Sequence, residues 1–143
     1  MRLVDVYTVT LAPQILYEAL QARLEEPSTN ISHTEMPSYQ DHCAFFDSKP
    51  YRGWYFIEEQ HGMVGICYIT RNNELGIYIL RSHRGKGYGK MALRQLIAQH
   101  EPMPAIPGVR PCKYVARISP KNTASKCLFH SLGFAHVEDT LTL

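Results

Sequence analysis

The stretch of the sequence best suited to chemistry is glycine-rich and basic, and it runs from Arg84 to Lys90 as Arg-Gly-Lys-Gly-Tyr-Gly-Lys. Glycine lets the backbone turn tightly and lets a ligand approach without meeting a Cβ. A helical pattern begins at Tyr88, and the first N–H groups of a helix lack intrahelical partners and carry partial positive charge. Together with the basic side chains, these features predict a site for a phosphate or pyrophosphate.

Other interpretations of this stretch fit less well. A P-loop requires Gly-x-x-x-x-Gly-Lys-Ser/Thr, but Met91 stands at the Ser/Thr position and Arg84 stands where the first glycine is needed. Gly87, Gly89 and Ala92 satisfy a Rossmann fingerprint, yet they lie past mid-chain and follow predicted antiparallel strands. A turn that caps a helix and binds no ligand is disfavoured, because basic side chains would crowd an already positive helix end.

The spacing Arg84-x-x-Gly87-x-Gly89 has the form Gln/Arg-x-x-Gly-x-Gly/Ala, and it resembles the acetyl-CoA pyrophosphate loop of the GNAT-type N-acetyltransferase superfamily. The resemblance extends over roughly residues 54–136 and includes segments similar to the family's central strand and to its second cofactor-side helix. These segments are Glu74-Leu75-Gly76-Ile77-Tyr78-Ile79 and Asn122-Thr123-Ala124-Ser125, the latter followed by Leu132-Gly133-Phe134.

The resemblance implies an acyltransferase that uses acetyl-CoA as co-substrate and needs no metal. Backbone groups of Ile77, Tyr78 and Ile79 are expected to bond the pantetheine amides. Asn122 matches the position that usually contacts the pantetheine arm, although a plain helix N-cap explains it equally well. Ser125 lies one turn later on the same helical face and is expected to contact the cofactor near its thiol. The residues expected to hold the pyrophosphate are Arg84, Gly85, Lys86, Gly87, Tyr88, Gly89 and Lys90.

Acetyl transfer to an amine needs a base that makes the amine neutral, a donor for the oxyanion and a means to release the thiolate. Glu74 is the best candidate for the base, because it opens the central strand and shares a face with Gly76 and Tyr78. The alternative interpretation is that Glu74 is a solvated carboxylate at the end of a turn. Many family members carry a tyrosine acid seven residues after the asparagine, but Phe129 stands there. We therefore expect Tyr78, Ser125 or a water to supply the proton, unless the thiolate leaves unassisted.

The acceptor side is expected to be lined by the N-terminal helices and residues 26–53. This part of the sequence is rich in aromatic and histidine side chains, namely His33, Tyr39, His42, Tyr51 and Trp54. It loosely resembles the acceptor region of acetyltransferases that act on amino sugars linked to nucleotides, and the alternative is a small core under the loop. The acceptor is thus predicted to be the primary amine of a small molecule, such as an amino sugar. Acetylation of a protein N-terminus or lysine, and a non-catalytic acyl-CoA-binding module, are the alternatives.

Hydrophobic periodicity predicts the elements that position these residues, in the order β-α-α-β-β-β-α-β-α-β. The predicted strands cover residues 2–9, 54–57, 63–70, 74–80, 113–118 and 134–141. Short turns join the three middle strands into an antiparallel meander. The crossover from 74–80 through a helix at 88–100 to 113–118 predicts a parallel, right-handed pair. The expected fold class is α/β, a single domain over residues 1–143 with a mixed sheet of six to seven strands and helices on both faces.

Composition restricts the function further. The 143 residues are 45% hydrophobic and 20% charged, which is typical of a globular protein. A net charge of +2 offers no electrostatic case for a nucleic-acid partner. The sequence has neither a signal-peptide pattern nor a long apolar window, so we expect a cytoplasmic protein with no membrane partner. Three of the four cysteines lie in apolar runs and are predicted to be buried free thiols. The final strand is a candidate for pairing across a homodimer.

Overall fold

A computed structural model describes residues 1–26 and 35–143 of the chain. Its strands form one antiparallel sheet in the order β1-β2-β3-β4, with each strand paired to the next along the chain. The strands are β1 (Arg2–Asp5), β2 (Gly53–Glu59), β3 (Gly62–Ile69) and β4 (Leu75–Ile79), and the helices are α1 (Ala12–Leu24), α2 (Tyr39–Asp47), α3 (Tyr88–Gln99) and α4 (Thr123–Ser131). Within the described residues, none of these helices has the length and apolar character needed to cross a membrane.

Helices cover both faces of the sheet, as expected. On one face, Ala92, Leu93 and Leu96 of α3 and Phe129 of α4 pack against the sheet with almost no solvent exposure. On the other face, apolar residues of α1 and α2 enclose Trp54, Phe56 and Ile66. Burying a leucine side chain contributes about 2 kcal/mol, so these two clusters fix the helices firmly on the sheet.

The first strand is shorter than predicted. The sequence suggested a strand over residues 2–9, but the pairing with β2 ends at Asp5. The Tyr7 N–H donates to the Asp5 carboxylate over 2.9 Å, and the Thr8 hydroxyl donates to the Asp5 carbonyl over 2.7 Å. These bonds close a 3₁₀ turn over Val6–Thr8, because an aspartate side chain competes well with a ladder for nearby N–H groups.

The sheet has four strands in the described chain, so the expectation of six to seven strands is wrong. Residues 113–118 make one parallel bridge, in which the Leu75 N–H donates to the Val115 carbonyl over 2.7 Å and the Val115 N–H donates to Asn73 over 2.9 Å. The parallel direction of this bridge agrees with the predicted crossover, but residues 113–118 and β4 diverge after it. Residues 134–141 form no strand either, because a strand needs a neighbour and 113–118 does not supply one.

Two helix ends are formed by capping residues next to them in the sequence. The Ser38 hydroxyl accepts a hydrogen bond from the Asp41 N–H at the start of α2, which is an N-cap. After α4, Gly133 adopts φ +95, and the N–H groups of Gly133 and Phe134 donate to the carbonyls of His130 and Phe129. This is a Schellman ending, which a glycine in the left-handed region permits.

The expectation of three buried thiols is correct for one cysteine. Cys67 is fully buried in β3, and burial raises the pKa of its thiol to about 12. Cys43 is half-buried, whereas Cys112 and Cys127 are exposed. Cys127 is exposed because α4 turns Phe129 towards the core, and residue 127 lies on a different side of the helix.

Asn73 anchors the loop that joins α3 to the bridge with β4. It is fully buried and adopts φ +64, in the left-handed region that asparagine tolerates. Its amide donates to the carbonyls of Met103 and Pro111 over 3.1 and 2.8 Å, and its Oδ1 accepts from the Met103 N–H over 2.7 Å. One side chain therefore holds both ends of the proline-rich segment next to the sheet.

Replacing this asparagine should destabilise the protein strongly. Asn73→Ala removes three hydrogen bonds and places an alanine in the left-handed region, so we expect a loss of about 3 kcal/mol or more in the free energy of unfolding. Asn72→Ala is the matched control, because Asn72 is exposed. Urea unfolding of both variants measures the effect, and equal stabilities would contradict the anchoring role.

Candidate functional site

A cleft of about 470 Å³ lies between β4, the glycine-rich loop and α4. This volume is in the range of small-molecule sites. Its lining residues, drawn from α1, β3, β4, the loop and the chain around α4, are Arg23, Tyr68, Glu74, Leu75, Gly76, Ile77, Tyr78, Ile79, His83, Arg84, Gly85, Gly87, Gly89, Lys90, Arg117, Ile118, Ser119, Asn122, Ala124, Ser125, Leu128 and Phe129.

The glycine-rich loop has the geometry of an anion cradle. Gly85 and Gly87 adopt φ +76 and +84, and a Cβ added to either would meet open space within 4 Å. Gly87 is the N-cap of α3, and no side chain of the described residues caps this helix end. A glycine is needed at position 89 for a different reason: a Cβ there would lie 3.1 Å from Leu128 and 3.7 Å from Ile77 and Ile79. Two glycines therefore open the loop to a ligand, and the third lets α3 approach Leu128 of α4.

Hydrogen bonds at the two ends of β4 fix which backbone groups face its neighbour. The Glu74 carbonyl accepts from the Thr70 N–H, and the Leu80 N–H donates to the Val64 carbonyl, both over 2.9 Å. Since backbone groups alternate along an antiparallel strand, the even-numbered residues of β4 bond to β3. Leu75, which points the other way, makes the bridge to the chain before α4.

Ile77 and Ile79 therefore direct their N–H and C=O groups to the outer edge of β4, along the cleft. The Arg84 guanidinium uses part of this edge, because its Nε donates to the Ile79 carbonyl over 3.0 Å. The backbone of Tyr78, by contrast, faces β3, where Tyr78 is in register with Ile66. The structure thus removes Tyr78 from the predicted backbone contacts and leaves its side chain to act in the cleft.

An ion pair joins the chain after α1 to the glycine-rich loop. The guanidinium of Arg84 contacts both carboxylate oxygens of Glu26, over 2.7 and 3.1 Å. The hydrogen bond from Arg84 lowers the pKa of Glu26, and the same bond raises the pKa of Arg84. The Tyr78 hydroxyl donates to Glu26 over 3.3 Å. Burial, then the nearby Glu26 carboxylate, raises the pKa of Tyr78, so its phenol is neutral at physiological pH.

A second ion pair lies at the other end of β4. Arg117 Nε donates to Glu74 Oε1 over 2.7 Å, and this hydrogen bond raises the pKa of Arg117. The Glu74 side chain retains 28% of its exposed surface and lines the cleft. It is therefore a carboxylate held by one cation and reachable from the cleft, not a fully solvated group at a turn.

The N-terminus of α4 contributes the polar residues on the opposite wall. Asn122 is the N-cap, and its Oδ1 accepts from the Ser125 N–H over 3.1 Å. Asn122 and Ser125 both line the cleft, so the cap and a ligand contact are compatible. Phe129 is 4% exposed and packs edge-to-face on Phe134 with ring centroids 5.1 Å apart. Its ring closes the floor of the cleft and belongs to the core.

The structure brings together Glu74, Tyr78 and Ser125, the three predicted catalytic residues, around one cleft. Most of the predicted cofactor-binding residues also line it. Lys86 and Tyr88 do not: Lys86 is exposed, and Tyr88 packs against the core under α3. Because the Tyr88 ring is packed, the predicted contact of Tyr88 with the cofactor is limited to its backbone, whereas the contact of Lys86 stays a prediction.

The aromatic residues expected on the acceptor side form a core of their own for the most part. Trp54 is 7% exposed, and the buried His42 ring contacts the Pro13 carbonyl through Nε2 over 2.9 Å. Tyr51 stacks on Tyr68 with ring centroids 4.2 Å apart, and only Tyr68 of this pair lines the cleft. The prediction for His33 lies outside the described residues.

Sequence reasoning missed Arg23, Glu26, Tyr68 and the pairing role of Arg117. No local signal marks them, because the partners of the two ion pairs are 58 and 43 residues apart. Within the described residues, no group of three His, Cys, Asp or Glu side chains is arranged to hold a metal ion.

Solved structures share this fold. A phosphinothricin acetyltransferase from Sinorhizobium meliloti in complex with AcCoA has 19% identity and a TM-score of 0.67, over 92% of this chain and 73% of that one. A ribosomal-protein-alanine N-acetyltransferase from Brucella melitensis has 17% identity and a TM-score of 0.71, over 96% and 86%. A domain from Methanocaldococcus jannaschii has 19% identity and a TM-score of 0.74, over 97% and 90%. No curated protein sequence matches the chain.

The family model that matches the chain, together with this fold, supports an acyltransferase. The family model described as the acetyltransferase (GNAT) domain matches residues 12–135, and the chain belongs to this family. Enzymes of the family use acetyl-CoA as co-substrate. The resemblance inferred from the glycine-rich loop and from the segments around Asn122 and Gly133 is thereby confirmed.

Gly76 makes room for the ring of Tyr68, and its substitution should be costly. A Cβ at this position would overlap the ring of Tyr68, which cannot retreat because it stacks on Tyr51. We expect Gly76→Ala to lower the free energy of unfolding by about 2 kcal/mol, as overpacking does. A Tyr68→Ala background removes this overlap, so a double-mutant cycle by urea unfolding should show a much smaller cost. Equal costs in the two backgrounds would contradict this account.

Proposed function

We propose that the protein transfers the acetyl group of acetyl-CoA to the primary amine of a small molecule, by direct attack in a ternary complex. The observation that supports this is the single cleft, which joins the open glycine cradle to the outer edge of β4 and then to Glu74. An amino sugar is one member of the proposed acceptor class. The reducing, cytoplasmic setting belongs to the same proposal, since all four cysteines are free.

The pyrophosphate of the cofactor is assigned to the cradle. The N–H groups of Tyr88, Gly89 and Lys90 lie in the first turn of α3, where the helix offers them no carbonyl. Gly85 and Gly87 leave room for phosphate oxygens to reach this backbone. Because Arg84 is bonded to Glu26 and to Ile79, we assign it to shaping the loop more than to phosphate contact.

The pantetheine arm is assigned to the outer edge of β4. Amides of the arm can pair there with backbone groups of Ile77 and Ile79, as an added strand would. Asn122 faces this edge from α4, and since its Oδ1 accepts from Ser125, its amide nitrogen is the group left to bond the arm. Leu128 and Phe129 supply an apolar floor beneath it.

Acetyl-CoA supplies a thioester carbonyl, and the residues of this chain act on the proton transfers around it. Glu74 is assigned to accept the proton that the amine loses as its nitrogen bonds to the carbonyl carbon. Backbone N–H groups at the edge of β4 are assigned to stabilise the oxyanion. As the carbon–sulfur bond breaks, the Tyr78 hydroxyl donates its proton to the thiolate sulfur. Its raised pKa keeps that proton in place until the sulfur becomes negative, and Ser125 is the alternative donor.

A peptide acceptor is the second candidate, favoured by the likeness to the ribosomal-protein-alanine N-acetyltransferase. Release of CoA from acetyl-CoA, measured against a panel of small amines and a panel of peptides with free N-termini or lysines, separates the two. Turnover with peptides alone would overturn the small-molecule assignment. CoA binding without turnover of any amine would leave a non-catalytic acyl-CoA-binding module.

The cradle assignment predicts how CoA binding responds to substitution. Gly87→Val places a branched side chain in the space reserved for the pyrophosphate, so we expect at least a tenfold weaker Kd for CoA, about 1.4 kcal/mol. Gly108→Val is the matched control, because Gly108 has a similar φ of +76 with open space around it and lies outside the cleft. Calorimetric titration of both variants is the measurement. Equal weakening in both would attribute the effect to backbone strain, and no binding by the wild type at millimolar CoA would end the proposal.

The proton-donor assignment predicts a loss in kcat. Tyr78→Phe removes the hydroxyl and keeps the ring, so we expect kcat to fall about tenfold to a hundredfold while the KM for acetyl-CoA stays near its original value. Tyr88→Phe is the control, since the Tyr88 side chain packs against the core instead of lining the cleft. Stopped assays of CoA release test both variants. An unchanged kcat in Tyr78→Phe would transfer the role to Ser125 or water.

A further inference from the structure

The Tyr78 side chain has contacts of two kinds, one at its ring and one at its hydroxyl. The Cζ atoms of Arg84 and Arg23 lie 5.5 and 5.9 Å from the centroid of the ring, which is the range of cation–π attraction. The hydroxyl donates to the Glu26 carboxylate over 3.3 Å. A hydrogen bond is directional, whereas attraction over a ring face is not, so the contact with Glu26 is the one that orients the hydroxyl.

Glu26 is itself held by the loop that follows β4. Two nitrogens of the Arg84 guanidinium contact its two carboxylate oxygens over 2.7 and 3.1 Å, and the third nitrogen donates to the Ile79 carbonyl over 3.0 Å. Ile79 is the residue after Tyr78 in β4. The contacts therefore form a closed circuit from the strand through Arg84 and Glu26 to the Tyr78 hydroxyl and back to the strand. A bidentate ion pair is a geometrically specific contact, so the circuit restricts where the hydroxyl oxygen lies.

We propose that Glu26 is a positioning residue for acetyl transfer, and that its carboxylate, fixed by Arg84, holds the Tyr78 hydroxyl where it can protonate the departing thiolate. The inference rests on the reaction proposed above and adds a residue that lies outside the lining of the cleft, whereas Tyr78 and Arg84 are part of that lining. Proton transfer requires the two heavy atoms to come within about 3 Å. A displacement of about 1 Å in a reacting group can cost a hundredfold in rate.

The circuit is compatible with the proton transfer assigned to Tyr78. The hydroxyl proton points to Glu26 before the reaction, and rotation about the Cζ–O bond turns it to the sulfur while the oxygen stays in place. The O–H bond then breaks, an S–H bond forms, and the phenolate takes a proton from water before the next turnover. Burial and Glu26 raise the pKa of Tyr78, whereas Arg84 and Arg23 lower it. The phenol therefore stays protonated until the thiolate forms, and the two cations stabilise the phenolate that results.

Two variants of Glu26 test the positioning role in assays of CoA release at saturating acetyl-CoA. Glu26→Ala removes the acceptor, so we expect kcat to fall about tenfold. Glu26→Gln keeps an acceptor oxygen but loses the charged pair with Arg84, so we expect a smaller loss, about threefold. Glu25→Ala is the matched control, because Glu25 is the exposed neighbouring residue at the end of α1, and its kcat should be unchanged.

A double-mutant cycle assigns the effect to Tyr78. In a Tyr78→Phe background the hydroxyl is absent, so Glu26→Ala should cause no further loss in kcat. A loss of equal size in both backgrounds would mean that Glu26 acts on the fold or on the cofactor loop, and it would overturn the positioning role. The Kd of each variant for CoA, measured by calorimetric titration, reports separately on the loop.

A titration without substrate tests the contact itself. The chain has nine tyrosines, so ¹⁹F NMR of protein that contains 3-fluorotyrosine is used, and the signal that disappears in Tyr78→Phe belongs to Tyr78. The negative charge of Glu26 opposes formation of the phenolate, so Glu26→Gln should move the titration midpoint of this signal to lower pH. Glu25→Gln is the control and should leave the midpoint unchanged.

The results separate a failure of this inference from a failure of the proposed reaction. An unchanged kcat in Glu26→Ala, or an unchanged Tyr78 midpoint in Glu26→Gln, would overturn the role of Glu26 in an enzyme that still turns over. If the wild type acetylates no amine, the reaction and the positioning role are both overturned, and a shifted midpoint would then support the contact between Glu26 and Tyr78 alone.

Discussion

Two hydrogen bonds between Leu75, Val115 and Asn73 set the shape of the cleft. They tie the chain after α3 to the first residue of β4, in a parallel direction. In the described part of the chain, β4 pairs along its length with β3 and has no strand on its other side. The two segments therefore meet at one end and diverge, which leaves the groups of Ile77 and Ile79 directed into a wedge. Asn73, the residue before Glu74, holds this junction from the core, so its buried side-chain amide maintains the cleft.

The glycine-rich loop closes the other end of the wedge, and electrostatics keep it in place. Arg84 bonds to the last carbonyl of β4 and to both oxygens of Glu26, so one side chain joins loop, strand and the end of α1. Glu26 in turn accepts from Tyr78, which couples the position of a proposed acid to the loop proposed to hold the cofactor. Charge-assisted hydrogen bonds of this kind are stronger and more directional than neutral ones.

A comparison of the predicted elements with the structure shows which of them depend on nearby residues and which depend on distant partners. Ser38, Gly87 and Gly133 each begin or end a helix through local contacts, because a cap depends on residues within one turn. The meander of β2, β3 and β4 was also predictable, since short turns allow few alternatives. Residues 113–118 and 134–141 have the alternation of strands, yet they form none, because a strand exists only through a partner and alternation carries no information about one. Likewise, the sequence did not distinguish whether the aromatic residues between Tyr39 and Trp54 form a core or a binding surface.

The sequence by itself determined the glycine-rich loop, its place at the start of α3 and the resemblance to acetyltransferases, because all of these rest on residues close together in the chain. It also put Glu74 and Tyr78 on one face of a strand, which the period of two requires. The tertiary structure alone decided that the backbone of Tyr78 faces β3, that Glu26 holds Arg84 and that Glu74 pairs with Arg117. Those contacts join residues tens of positions apart, and packing brings them together at distances that spacing along the chain does not encode.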